Sequence, residues 1–189
     1  MKKTLLLLAF LFTGILCTYA QDDAQPKFGV GVTVGAAVGP VSGTYPLAGG
    51  IALRYEYPFS DTPVSLMLTT GFSYFVSSDG YSTGYDSYNG SYSYGSLAAF
   101  IPVQAGLKAY VLNKLYVQGD VGASFNVNSN YQDYTGKKVA LLVSPSVGYT
   151  IPFGRSRWSV DLGLGYENRI EPGGGYSQIN FRAIFNVGL

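Results

Sequence analysis

The sequence predicts an all-β chain, folded as an eight-stranded antiparallel transmembrane β-barrel. Its strands run up and down between short periplasmic turns and longer extracellular loops. Three observations carry this. After residue 20 the pattern is strict alternation, and no stretch has helical period. Charged residues make up 12% of the chain, about half of the roughly 25% usual for a soluble domain, so part of the surface is not built for water. Aromatics reach 15%, and seventeen of those residues are tyrosine, a side chain at home where an apolar region meets a wet one.

The chain divides into residues 1–20, a cleaved signal peptide, and residues 21–189, the barrel domain. Lys2 and Lys3 precede an apolar run, Leu5 to Leu16, and Thr18-Tyr19-Ala20 supplies a small-x-small cleavage site, so cutting falls between Ala20 and Gln21. The run is shorter than the roughly 17–25 residues a spanning helix needs. Cys17 is the one cysteine, so the mature chain has no disulfide and must be held by other means.

Eight alternating runs follow, separated by Gly, Ser, Asn, Asp and Pro clusters. The first, Phe28 to Val38, sets Phe28, Val30, Val32 and Val34 against Gly29, Gly31, Thr33 and Gly35. The second, Gly49 to Tyr57, sets Ile51, Leu53, Tyr55 and Tyr57 against Ala52, Arg54 and Glu56. The third is Val64 to Val76, the fourth Leu97 to Val111, the fifth Leu115 to Val127 and the sixth Val139 to Ile151. The seventh, Trp158 to Arg169, alternates Trp158, Val160, Leu162, Leu164 and Tyr166 with Ser159, Asp161, Gly163, Gly165, Glu167 and Arg169. The eighth runs from Ile179 to Leu189. Short links such as LNK alternate with longer ones such as SSDGYSTGYDSYNGSYSYGS, as in barrels of the outer membrane.

The apolar register of all eight runs is free of charge, while the opposite one holds Arg54, Glu56, Lys108, Asp120, Asp161, Glu167, Arg169 and Arg182. Four acids and four bases turned into a narrow lumen must pair, because a stranded buried charge costs several kcal/mol. The expected partners are Lys108 with Asp120, and Arg182 with Asp161 or Glu167. A salt-bridged plug is the favoured reading and a gated polar pore the alternative, since eight strands leave room for side chains and little else. With the greasy register outward, Tyr57, Tyr149 and Trp158 fall at the short-turn end, and Tyr74 and Tyr166 at the long-loop end, as interface aromatics. Trp158 to Tyr166 is eight steps along the strand; at roughly 3.3 Å each, less the tilt, that is about 20 Å, near the roughly 25 Å apolar band of such barrels. Closure is required, since lipid offers nothing to an open sheet edge. Pro102 and Pro145 each remove a ladder donor, and a bulge is one way to absorb Pro145.

Leu97 to Phe125, LAAFIPVQAGLKAYVLNKLYVQGDVGASF, resembles the PorT-like outer-membrane β-barrel family. It carries Ile101-Pro102, then Gly106, Lys108 and Tyr110, then Tyr116, Val117 and Gly119 after a tight turn. The resemblance implies a small barrel of the OmpX or OmpA type in a Gram-negative outer membrane and no particular enzymatic activity. It also makes Pro102 less surprising.

For function, the absence of histidine excludes a Ser–His pair. The carboxylates Glu56 and Asp161 have no convergent site around them. Asp79, Asp86 and Asp133 match no metal-loop spacing, and Gly29, Gly31 and Gly35 precede no helix that could cradle phosphate. Instead, inward glycines leave room for Tyr or Arg from neighbouring strands. The expectation is therefore no cofactor, no metal and no enzyme. No concentrated basic face points to nucleic acid. Tyr81, Tyr85, Tyr88, Tyr92 and Tyr94 in the longest loop have the composition of a recognition loop for an extracellular ligand, or extend the strands above the membrane. The partners expected are outer-membrane lipid and the barrel insertion machinery, read through Phe181, Phe185 and Val187 of the last strand, with the chain a monomer. The functional expectation is a non-enzymatic structural or surface-interaction protein of the outer membrane, with a narrow porin-like channel for ions or very small solutes as the alternative.

Overall fold

The computed structural model describes residues 25–78, 83–86, 90–93, 97–127, 138–154, 157–171 and 175–189. Residues 1–24, which include the expected signal segment with Ala20 and Gln21, lie outside them. Eight strands close into a barrel: β1 (Lys27–Val38), β2 (Leu47–Pro58), β3 (Val64–Val76), β6 (Leu97–Tyr110), β7 (Leu115–Asn126), β8 (Val139–Pro152), β9 (Trp158–Ile170) and β10 (Ser177–Gly188). Each pairs antiparallel with its neighbour in sequence, and β1 pairs with β10 to close the ring. Two four-residue strands, β4 (Thr83–Asp86) and β5 (Gly90–Ser93), in the β3–β6 connection pair, among the described residues, with each other. They form a separate hairpin, so the barrel strands are not prolonged by them.

The alternation in sequence becomes an inside and an outside. Val32, Val103, Val121 and Leu164 near mid-strand are about half exposed, and Val34 is 64% exposed. The opposite parity is turned inward: Gln104 beside Val103 and Asp120 beside Val121 are buried, as are Arg54, 1% exposed, and Lys108, fully buried. An exposed apolar surface that winds round a whole barrel is far larger than the few hundred Å² a soluble monomer shows. The short turns are tight. Phe59 N–H donates to Val64 O at 3.0 Å around Asp61, which has a φ of 61°, and Phe153 N–H donates to Trp158 O at 3.0 Å beside Gly154.

Neither internal proline makes a bulge. Thr70 pairs with Val103 and Ser73 with Phe100, so the register is the same on both sides of Pro102. Likewise Val143 pairs with Asn168 and Ser146 with Gly165 on either side of Pro145. Each proline keeps its pairing on the β7 side, to Ser124 and Gly119 respectively, and interrupts only the other ladder. The cost is one missing donor and no shift of register. At Pro102 the gap is partly filled: Thr70 Oγ1, on the outer face, donates to Pro102 O at 2.9 Å.

The inward glycines do make room, though for other neighbours than Tyr or Arg in β1. A Cβ at Gly29 would meet Asn186, one at Gly31 would meet Ile184, and one at Gly35 would meet Gln178. Tyr116 is accommodated elsewhere. It pairs with Gly148, where a Cβ would run into its hydroxyl and lie 2.6 Å from Leu162 O. Because the second contact is backbone, the clash cannot be relieved by turning a ring. Gly148→Val is expected to destabilise the barrel by about 1–3 kcal/mol or more, read as a lower urea midpoint in lipid vesicles.

Candidate functional site

The interior is layered along the barrel axis, and each layer is built by the inward parity of its strands. At the short-turn end, Tyr110 and Tyr116 stand edge to face, ring centres 6.0 Å apart, and Tyr110 Oη meets Thr150 Oγ1 at 3.2 Å. Lys108 Nζ sits 4.9 and 4.4 Å from the two ring centres. It donates to Glu56 Oε2 at 3.0 Å and to Asp161 Oδ2 at 2.7 Å. Thr150 Oγ1 donates to Asp161 Oδ1 at 2.6 Å, and Arg54 Nη1 lies 3.5 Å from Asp161 Oδ2. Five strands, β2, β6, β7, β8 and β9, thus converge on one buried cluster.

In the middle layer Gln118 Nε2 donates to Asp120 Oδ2 at 2.6 Å, and Arg182 Nη1 approaches the same oxygen at 4.0 Å. Gln104 Nε2 donates to Ser144 Oγ at 2.6 Å, and Gln178 Nε2 to Glu167 Oε1 at 3.1 Å. Toward the loop end Arg169 pairs with Glu171 through Nε, donates from Nη1 to Ser124 O at 2.5 Å and lies 4.4 Å over the ring of Phe100. Above it, Phe75, Phe100 and Tyr176 pack at ring separations of 5.0 to 6.0 Å, with Tyr45 leaning on Tyr176 at 5.7 Å. The residues between β1 and β2 fold inward over this cluster: Val41 and Tyr45 pack on it, and Ser78 N–H ties the segment down at Thr44 O, 2.9 Å away.

Of the eight charged residues expected inside, Arg54, Glu56, Lys108 and Asp161 are brought together; Asp120 and Arg182 form a looser pair; Glu167 is held by Gln178; and Arg169 turns to Glu171. Two expected pairings are corrected. Lys108 does not meet Asp120, because Asp120 stands opposite Gly106 and its carboxylate is taken by Gln118 and Arg182, while the lysine crosses the lumen. Arg182 accordingly pairs with Asp120, and no ion pair joins it to Asp161 or Glu167 among the described residues. Glu171 was missed, although it continues the inward parity of β9 by one step beyond Arg169. The inward aromatics Phe75, Phe100, Tyr110 and Tyr116 carry the same signal.

On the outer surface, Tyr57, Tyr149 and Trp158 are about half exposed at the short-turn end, with Phe59 beside Tyr57 and Phe185 against Trp158 at 5.8 Å. Tyr166, 40% exposed, and half-buried Tyr74 lie toward the loop end. In the longest loop Tyr81, Tyr88 and Tyr94 lie outside the described residues. The backbones of Tyr85 and Tyr92 belong to β4 and β5, paired with Ser91 and Gly84.

A closed eight-stranded antiparallel barrel, greasy outside and charged within, has the architecture of the small outer-membrane β-barrels. Neisserial surface protein A is similar over 87% of this chain and 97% of its own, at 9% identity and a TM-score of 0.54. The Yersinia pestis outer membrane protein Ail, in a structure obtained in a phospholipid bilayer nanodisc, is similar over 87% of this chain and 99% of its own, at 13% identity and a TM-score of 0.51. A de novo designed transmembrane β-barrel matches over 89% of this chain and all of its own, at 15% identity and a TM-score of 0.51. No protein-family profile matches the sequence, and no curated protein resembles it closely enough to count as a relative.

Proposed function

We propose that this chain is an integral, monomeric outer-membrane protein with a non-enzymatic structural or surface-interaction role and a lumen closed by its own side chains. In this reading residues 1–20 direct export, acyl chains cover the outer face, and Tyr57, Tyr74, Tyr149, Trp158 and Tyr166 sit at the two headgroup layers. Strand β10, with Ile179, Phe181, Phe185 and Val187 turned outward, is what the insertion machinery reads. The PorT-like assignment rests on Ile101, Pro102, Gly106, Lys108, Tyr110, Tyr116, Val117 and Gly119; Lys108, Tyr110 and Tyr116 of that motif meet in the short-turn cluster.

The observation that carries the closed-lumen reading is the burial of Lys108, Glu56 and Asp161, each 1% exposed or less, combined with the aromatic stack at the other mouth. An ion entering would have to separate buried charge pairs, which costs several kcal/mol per pair. Reconstituted in a planar bilayer, the protein is expected to give no single-channel steps across a range of voltages. Discrete openings would replace this reading by the narrow-channel one.

For the surface role, the β3–β6 loop is the candidate, with Tyr81, Tyr85, Tyr88, Tyr92 and Tyr94 offering aromatic area at low entropy cost. Ail has been crystallised with the heparin analogue sucrose octasulfate. Here the loop carries Asp79 and Asp86 and neither Lys nor Arg between Ser78 and Leu97, so a sulfated glycan is disfavoured and an uncharged or cationic partner suits it better. Deleting residues 79–94 should abolish adhesion of expressing cells to a surface that the intact protein binds; unchanged adhesion would remove this role from the loop.

A further inference from the structure

The cluster at the short-turn end holds more than is needed for a salt bridge. An amine, a carboxyl group that it touches and a second carboxyl group able to carry protons lie together out of water. Lys108 Nζ is 2.7 Å from Asp161 Oδ2 and 3.0 Å from Glu56 Oε2. The three side chains are 0 to 1% exposed. Asp161 Oδ1 also accepts from the Thr150 hydroxyl at 2.6 Å, and the Arg54 guanidinium lies 3.5 Å from Oδ2 as a loose ion pair without a hydrogen bond. The lysine is walled by the rings of Tyr110 and Tyr116. We propose that Lys108 and Asp161 condense within the folded barrel into an amide that ties β6 to β9 across the lumen, with Glu56 relaying a proton.

The step balances without an added reagent. The Lys108 ammonium passes one proton across the 2.7 Å contact to Asp161 Oδ2, leaving a neutral amine against a neutral carboxylic acid. The nitrogen attacks Asp161 Cγ and the C–N bond forms, the charge on Oδ1 being met by the Thr150 hydroxyl. Glu56 Oε2 takes the second proton from the attacking nitrogen and returns it to the departing Oδ2, the C–O bond breaks and water leaves. Glu56 ends as it began, and nothing is oxidised or reduced. Three physical features favour the forward direction. Two rigid strands hold the reacting groups in contact, which replaces an encounter by an effectively unimolecular step. Exclusion of water removes the species that would reverse it. The product also exchanges two buried opposite charges for a neutral amide, relieving a desolvation cost, and leaves Arg54 and Glu56 to balance each other.

Asp161 is the acceptor rather than Glu56 because its carboxyl is the one polarised from both oxygens. Among the described residues Glu56 Oε1 has no hydrogen-bond partner, which suits a proton carrier. The test is tryptic mapping by mass spectrometry of the intact protein recovered folded from membranes. The expected result is a single branched species in which Tyr55–Lys114, uncut at Lys108, is joined to Trp158–Arg169 and is lighter than the two together by one water. Asp161→Ala and Glu56→Gln should both yield the two strands' peptides unjoined, with cleavage restored after Lys108. Folded wild-type protein giving free Trp158–Arg169 and complete cleavage at Lys108 would overturn the proposal, and needs no variant to fold. A link from Lys108 to Glu56, inside the 55–114 peptide, would equally refute the assignment to Asp161.

Discussion

Lys108→Met is expected to lower the unfolding free energy of the barrel by about 3–5 kcal/mol, the cost of breaking a buried pair by removing one partner. Lys108 is the hub of the short-turn layer: fully buried, it donates to Glu56 and Asp161 at once and lies against two tyrosine rings. Methionine fills much of the same volume, so the loss would report on the lysine's links to Glu56 and Asp161 rather than on a hole. It would leave two buried carboxylates facing Arg54 alone, whose nearest approach to Asp161 is 3.5 Å. Urea unfolding in lipid vesicles, followed by tryptophan fluorescence from Trp158, reads the change. As a control, Lys138→Met, at an exposed position, should stay within about 0.5 kcal/mol of the parent. Equal effects at the two lysines would mean that the lumen is not dry.

Leu164→Arg is the second large effect, expected to cost about 2–4 kcal/mol in a bilayer. Leu164 lies at mid-length of β9, 55% exposed, paired across to Val147 and Phe181. With acyl chains around it, a guanidinium there has neither water nor a counter-ion. The same substitution at Leu47, 59% exposed at the loop end of β2, should cost only about 0–1 kcal/mol, because the headgroup layer is within reach. On a barrel bathed in water, both changes would fall within about 0.5 kcal/mol. The contrast between the two positions separates these cases without any assumption about absolute stability.

Much of this was legible in the sequence, and the reason is the period of two. Parity along Trp158 to Arg169 assigns every side chain to a face, and the structure keeps that assignment on β9, with Asp161 and Arg169 buried and Leu164 outside. Strand limits move by no more than two residues, as at Leu47 and Ser177, because Gly and Pro clusters mark the turns. What parity cannot give is the partner across the lumen. Parity pairs Lys108 with a residue of the adjoining strand, yet in a barrel this narrow a long side chain reaches past its neighbours to β2 and β9, where Glu56 and Asp161 lie. Stopping β9 at Arg169 hid Glu171, whose carboxylate is what Arg169 meets. Tyr116 over Gly148 could have been found, since the two share the inward parity on neighbouring strands. For the β4–β5 segment the sequence left a recognition loop or a prolongation of the barrel strands, because alternation alone does not say which strand a segment pairs with.

A membrane-spanning barrel needs an apolar solvent around its exterior, and solubility measures that need directly. The chain from Gln21 to Leu189, refolded and studied by sedimentation and circular dichroism, should give a monodisperse β-rich monomer in a mild detergent and aggregate once the detergent is withdrawn. A monomer that keeps its β-spectrum and its size in buffer alone would contradict it, for Val34, Val121 and Leu164 would then be facing water.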